Sequence, residues 1–572
     1  MAEYRSHDVL ILGSGLAGLR AALEIAERLG DGVDIGLVSK VQLMRAHSVC
    51  AEGGTGAVLR PEDGDNLDLH AWDTIKGSDF LADQDVVYRF VERSPREIRL
   101  LENWGMPWSR RDDGRILQRP FGGHSFPRAT MAADKTGFFE MQTLYDTLQK
   151  YRNHHRYDEM FVTSIVVEDG QFRGLTAIDM ASGEFVALRG KALLIATGGA
   201  GTLYDFTTYS RTVSGDGLAM ALRAGLALED MEFVQFHPTA LVPSAILITE
   251  GCRGEGAYLR NRDGDRFLSH YAPKLLELAP RDLISRAMIT EIEAGRGFAG
   301  PDGLDYLHLD LTHLGPERIQ DRLPLIREVA MKFVGIDPIL APIPVRPAAH
   351  YSMGGIECDI DGATGVAGIW VAGEAACVSL HGANRLGTNS TAECLVWGGI
   401  CGEQIADYLR AGGALAALPD DCVRAEEARV FDDLLNRDGD ENPYELEHEL
   451  RHLMDACMGV YRTGQELRGG LAKLATLRSR FDAVRVDDHS RIYNVNLITV
   501  LELENLFDLA AVALRSALAR EESRGAHARR DFPARDDARW LRHTLARKVD
   551  NELQIDYKPV RITHWKPAER SY

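Results

Sequence analysis

Two histidines and three arginines stand in five short motifs between positions 237 and 385. These are His237-Pro238-Thr239, Thr249-Glu250-Gly251-Cys252-Arg253-Gly254-Glu255, Pro280-Arg281-Asp282, His350-Tyr351-Ser352-Met353-Gly354-Gly355 and Gly382-Ala383-Asn384-Arg385. Guanidinium forks pair with carboxylates, and a buried anion is intolerable without such partners. Gathered beside a redox cofactor, these side chains would hold a small dianion, so the expected chemistry is on a dicarboxylate.

Something must position them. Val9-Leu10-Ile11-Leu12 is an apolar run that enters Gly13-Ser14-Gly15-Leu16-Ala17-Gly18, after which Leu19, Ala22, Leu23, Ala26 and Leu29 recur at helical spacing. With a second strand over 33–39, this is the strand, helix, strand setting in which G-x-G-x-x-G lets a backbone approach a pyrophosphate at a helix N-terminus. The second strand ends in Ser39-Lys40, lacking the acidic residue that usually holds an adenosine ribose, which weakens a nicotinamide reading. Another apolar strand, 192–196, runs into Thr197-Gly198-Gly199-Ala200-Gly201, and two such turns suit a flavin dinucleotide.

From about Met231 to Pro344 shorter elements carry most of the polar motifs, and Gly368-Ile369-Trp370-Val371-Ala372-Gly373-Glu374 then returns to the style of the first domain. The expected class is α/β, with a discontinuous Rossmann-like FAD-binding domain (1–230 and 346–415) and an inserted α+β capping domain (231–345). A C-terminal helical domain (416–546) and an extended tail (547–572) complete it. Leu446, Leu450, Leu453, Met454 and Cys457 form one helical stripe and Leu467, Leu471, Leu474, Leu477 and Phe481 another, both read as packing between helices.

The chain has 572 residues, enough for two to four domains, with 45% hydrophobic and 26% charged residues. A net charge of −20 argues against nucleic acid or an anionic membrane surface as a direct partner. The eight cysteines never form C-x-x-C and offer no zinc or iron–sulfur spacing, so no metal is expected and free thiols in a reducing compartment are. The first residues enter a strand at once, which leads us to expect no leader, and no apolar run nears the roughly 20 residues of a membrane span.

Arg45-Ala46-His47-Ser48 and Ala51-Glu52-Gly53-Gly54, with the five motifs above, Ser523-Arg524-Gly525-Ala526-His527 and Asp531-Phe532-Pro533-Ala534-Arg535-Asp536-Asp537, resemble the flavoprotein subunit of succinate dehydrogenase and fumarate reductase. The resemblance runs in the family's order from the first strand to Arg570-Ser571-Tyr572. It implies FAD joined covalently through His47 and contacted by Gly13, Ser14, Gly15, Gly18, Ser39, Lys40, Ser48, Glu52, Gly53, Gly54, Asp216, Glu374, Arg385 and Ser390. It implies a clamp of His237, Thr249, His350 and Arg385 on succinate or fumarate, with Arg281 as proton donor and acceptor and Glu250 and Arg253 as its relay. Asp216 and Glu374 are expected to grip ribose and ribitol hydroxyls.

Glu52 leans toward the reductase class, and Thr391 stands where the family usually has Leu. Cys252, beside Arg253, is open to two readings: a thiol activated by the guanidinium, or a buried inert one. Without iron–sulfur ligands of its own, the chain is expected to work with an iron–sulfur subunit and a membrane anchor that meets quinone, peripheral on the cytoplasmic face of the cell membrane. L-Aspartate oxidase shares the fold and most of the clamp but lacks the counterpart of His47. A non-catalytic flavin-binding assembly protein would be expected to carry a damaged clamp, and a flavoprotein acting on RNA a basic face.

Overall fold

The computed structural model describes residues 2–550 and 552–571; Tyr572, the last residue of the resemblance, lies outside them. Its largest sheet has seven strands. Glu3–Leu12 lies at its centre, parallel to Ile35–Val38 on one side and to Glu184–Ile195 on the other. The first neighbour, and residues 192–195 of the second, are apolar because both faces of the sheet are covered there. The helix Leu16–Leu29 follows the first strand directly, and its Arg20, wholly buried, donates to Glu97 and Glu24 at 2.7 Å each. That ion pair fastens it to the helix Gln84–Asn103.

The long strand Glu184–Ile195 changes partners along its length. Its first half pairs antiparallel with Gln171–Asp179, and its last three residues pair parallel with Ile369–Val371. The chain therefore leaves this sheet after residue 195 and returns to it more than 170 residues later. Within that excursion a four-stranded sheet, Val234–Leu241, Ile343–Ser352, Leu307–Asp310 and Tyr258–Arg260, backs onto its own apolar cluster from Leu241 to Val345.

Helices Pro443–Cys457, Gly464–Phe481 and Val495–Ala519 pack together near the end of the chain. The expected tail is partly a sheet element: Arg542–Val549 and Glu552–Pro559 form an antiparallel hairpin on the edge of a five-stranded sheet. The boundary placed at 546/547 falls inside its first strand. Beyond it the chain runs along the helix Gln84–Asn103, where Gln84 Oε1 accepts the amides of Thr563, His564 and Trp565 at 3.1, 2.7 and 3.0 Å. Among the described residues no helix is long and apolar enough to cross a membrane.

Candidate active site: a cationic pocket at the end of a dinucleotide cradle

A cavity of about 760 Å³ extends from the first glycine turn to Arg281. Its volume falls in the range of ligand pockets, about 300–1,000 Å³. The residues assigned from the sequence to cofactor and substrate all border it except Gly18 and Arg253. Gly18 shapes the turn from behind: a Cβ there would sit 2.0 Å from the Gly13 carbonyl oxygen. Gly13 itself has φ +110°, and its Cβ would meet the Ala196 oxygen at 2.2 Å. Only glycine permits both approaches.

The cradle fits FAD. Leu16 begins its helix at the cavity, so backbone N–H groups and the helix dipole face a pyrophosphate. Ser48 Oγ accepts the Leu16 amide at 3.3 Å, and Ser14 Oγ donates to Ser39 Oγ at 2.9 Å. Asp216 is engaged by Lys40 Nζ at 2.6 Å and Asn505 Nδ2 at 2.8 Å, and Lys40 also donates to Glu502 at 2.6 Å. Glu374 accepts the Tyr209 hydroxyl and the Ser352 amide. Each carboxylate keeps lone pairs for a cofactor hydroxyl. Burial raises Glu374 to about 7, with the Tyr209 and Ser352 hydrogen bonds opposing.

His47 lies on the wall with its ring stacked on Tyr209 at 5.1 Å, and its Nδ1 accepts the Ser210 amide at 3.3 Å. Nε2 is thus the nitrogen free to form a bond. Burial lowers the imidazole to about 4, which keeps it neutral. Glu52 is buried in the same wall and pushed well above the carboxylate range by burial and by Asp134.

At the far end the clamp assembles from three elements. The strand Val234–Leu241 presents His237, and Ile343–Ser352 presents His350 at a register shift, where Gln235 opposes Tyr351 but Phe236 opposes Ala349. His350 is the extra residue of that bulge, which turns its side chain into the cavity. The two rings meet edge to face at 4.9 Å. His237 Nδ1 accepts the Thr239 amide at 3.2 Å, which places a proton on Nε2 in the neutral ring. Burial and the charges around them, Arg281 foremost, hold His237 and His350 well below the usual histidine range.

Arg281 begins the helix Arg281–Glu291. Its Nε donates to Glu250 at 2.7 Å and Nη1 to Gln235 Oε1 at 2.9 Å, leaving Nη2 toward the cavity. Arg385 lies 4.2 Å from the Tyr351 ring, with its buried Nε unpartnered. Burial, then the Arg281 charge, lowers it to about 10. Arg253 is sealed behind Glu250, 3.4 Å from its carboxylate, and donates to the Glu277 carbonyl at 2.7 Å. Burial alone would raise Glu250, but Arg281 and Arg253 outweigh it and hold it at about 2. With Arg253 behind them, three guanidinium groups stand against one firmly ionised carboxylate at this end of the cavity, a surplus that a bound dianion would neutralise.

Cys252 is resolved toward the inert reading: burial, with Glu52 and Asp134 nearby, raises its thiol well above the usual value despite Arg253. Thr391, where the expected residue was Leu, shares a hydrogen bond with Thr55 at 2.8 Å and borders the cavity. The sequence reading missed Tyr209, Gln235 and Glu502. Gln235 lies two residues before His237, so strand alternation carried a signal for it. No spacing points to Tyr209 or Glu502.

Residues 8–391 match the FAD binding domain family, and residues 447–572 match the fumarate reductase flavoprotein C-terminal family. The chain is 45% identical over 581 residues to a fumarate reductase flavoprotein subunit of Mycobacterium tuberculosis, covering 99% of each. It is 40% identical over 596 residues to a succinate dehydrogenase flavoprotein subunit of Rickettsia bellii, covering 100% of this chain and 99% of the relative. A solved quinol fumarate reductase chain of Escherichia coli superposes with a TM-score of 0.95 at 43% identity, with 99% of each chain covered. With an FAD cradle that ends in a cationic pocket, the chain belongs to the family of flavoprotein subunits of fumarate reductase and succinate dehydrogenase, FAD-dependent oxidoreductases.

Proposed function

We propose that this chain interconverts succinate and fumarate with FAD tethered through His47 Nε2. In this reading it exchanges electrons with an iron–sulfur subunit and, beyond it, with quinone at a membrane anchor that holds the complex at the cytoplasmic face of the membrane. The observation that carries the reading is the surplus of Arg281, Arg385 and Arg253 over Glu250 at a pocket walled by two neutral imidazoles. The sheet that supplies the two histidines serves as a cap over the cradle.

His237, Thr249, His350 and Arg385 hold the two carboxylates, and twisting one out of conjugation makes the double bond of fumarate electrophilic. FAD, when bound, supplies the two-electron donor or acceptor for the hydride exchanged at one carbon. The other hydrogen moves as a proton at the neighbouring carbon, which Arg281 Nη2 serves. A guanidinium is ordinarily a permanent cation. The carbanion-like carbon left by hydride addition is a far stronger base than guanidine, so the proton passes to carbon.

Glu250 then recharges Arg281. Its carboxylate is a poor proton carrier while Arg281 is charged, but loss of that charge removes its main stabilisation and lifts its proton affinity. Arg253 behind it completes the relay. A flavin difference spectrum of the FAD-loaded protein with malonate or oxaloacetate tests the pocket. A saturable shift is expected in the wild type and none in Arg385→Ala; absence of any shift in the wild type rejects the dicarboxylate reading.

A further inference from the structure

The helix Pro443–Cys457 buries Leu446, Leu450 and Met454 and exposes His448 and His452 on another face. Those histidines are four residues apart, and their Nε2 atoms stand 3.0 Å from each other, with the rings edge to face at 4.2 Å. A carboxylate oxygen of Asp205 lies within 4.8 Å of a ring nitrogen of each. We propose that His448, His452 and Asp205 form a binding site for a divalent transition-metal ion, Zn²⁺ above all, separate from the oxidoreductase pocket.

Three features carry this assignment. The first is ligand spacing: with metal–nitrogen bonds of about 2.0–2.1 Å, two ligands of one ion sit about 2.9 Å apart at a right angle and about 3.4 Å apart at the tetrahedral angle. The observed 3.0 Å lies between. The second is the donor set, two imidazoles and one carboxylate, which zinc takes with water completing the coordination.

The third is that the two elements that carry the ligands are already fastened to each other. Arg451 Nε donates to the Thr202 carbonyl at 3.0 Å, and Asp455 accepts the amides of Asp205 and Phe206 at 3.2 and 3.3 Å. The helix that carries the histidines thus holds the loop that carries Asp205. The competing cation, Arg211, is exposed and 3.9 Å away, a contact weak enough to yield.

His448-Glu449-Leu450-Arg451-His452 also reads as H-E-x-x-H, the pattern in which two histidines on one helix face bind zinc and the glutamate acts as base. Here Glu449 is gripped by both terminal nitrogens of Arg480 at 2.8 and 3.0 Å, and the histidines lie open to solvent. Hydrolysis is therefore not part of the assignment. The ion would instead brace the helix against the loop that continues into the cavity wall at Thr208, Tyr209 and Ser210.

The test is calorimetric titration of tag-free, metal-stripped, full-length flavoprotein with Zn²⁺, after alkylation of the exposed thiols Cys50 and Cys422. One site is expected that weakens by roughly tenfold or more in His448→Ala/His452→Ala, with FAD content and turnover unchanged. Asp205→Asn should weaken it by a smaller factor. Cu²⁺ in the same protein should show hyperfine coupling to two nitrogens by electron paramagnetic resonance, lost in the double variant. Zinc affinity and stoichiometry equal in parent and double variant, or a copper spectrum that the substitutions leave unchanged, overturns the site; full affinity in Asp205→Asn overturns the three-ligand form.

Discussion

Arg281 has two of its nitrogens committed to protein partners, and this division of labour sets what substitutions at it should do. Arg281→Lys keeps a positive charge but cannot span Glu250, Gln235 and the substrate together. Turnover in both directions is expected to fall by about 10²–10⁴, while dicarboxylate affinity in the flavin difference spectrum survives; steady-state rates near wild type would remove Arg281 from the proton path. His47 offers a second test. His47→Ser should leave folded protein with dissociable FAD, because the rest of the cradle is intact. Succinate oxidation should then suffer more than fumarate reduction, since an electron-withdrawing imidazole on the flavin makes it the better oxidant. Equal loss in both directions would contradict that role for the bond.

Among the elements, the helix Thr136–Leu148 carries a buried acid whose titration should be visible. Burial raises Glu140 to about 8, and the hydrogen bond from Thr55 opposes this only in part. Unfolded, the group titrates near 4.5. The folded state therefore holds the proton more tightly, and wild-type stability relative to a neutral isostere is lost as pH rises from about 4.5 through about 8. Glu140→Gln should gain on the wild type by up to a few kcal/mol across that window. Melting temperatures of the two forms at pH 5 and pH 8.5 check the sign: the Gln form must improve relative to wild type at the higher pH. The glycine turn makes a sharper demand, and Gly18→Ala, with no room against Gly13, should abolish FAD retention on gel filtration.

How far these elements could be read in advance depended on whether their cues are local. The first turn, its helix and the returning strand at 369–371 were legible because glycine placement and apolar runs are short-range signals. The bulge that aims His350 was not, because it depends on pairing with a strand more than 100 residues earlier. Lys40–Glu502, separated by 462 residues, lay equally out of reach. The terminal hairpin reads as a tail because Pro559 and Pro567 outweigh the short alternation of Leu553, Ile555 and Tyr557; its outer strand, Glu552–Pro559, is largely exposed. The histidines of Pro443–Cys457 escape notice for a different reason, since the apolar stripe on that helix already explains it.

For the molecule as a whole, the end of the chain is tied to the catalytic region. Arg570 pairs with Asp282, the neighbour of Arg281, at 3.0 Å and with Asp79 at 3.3 Å. Burial would raise Asp282, but Arg570 and Arg286 hold it well below the carboxylate range. Arg570→Ala leaves that buried carboxylate with less charge to meet it and is expected to cost roughly 3 kcal/mol, read in urea denaturation. A loss within error of zero would make the tail a passive appendage. The excursion between strands 184–195 and 369–371 has a consequence in time. Glu374, Arg385 and Ser390 complete the cradle begun by Gly13, so about two thirds of the 572 residues must leave the ribosome before any flavin can be captured. A nascent chain arrested at residue 350 should therefore bind no FAD, and cellular flavin supply acts on this protein only in the last third of its synthesis or after it.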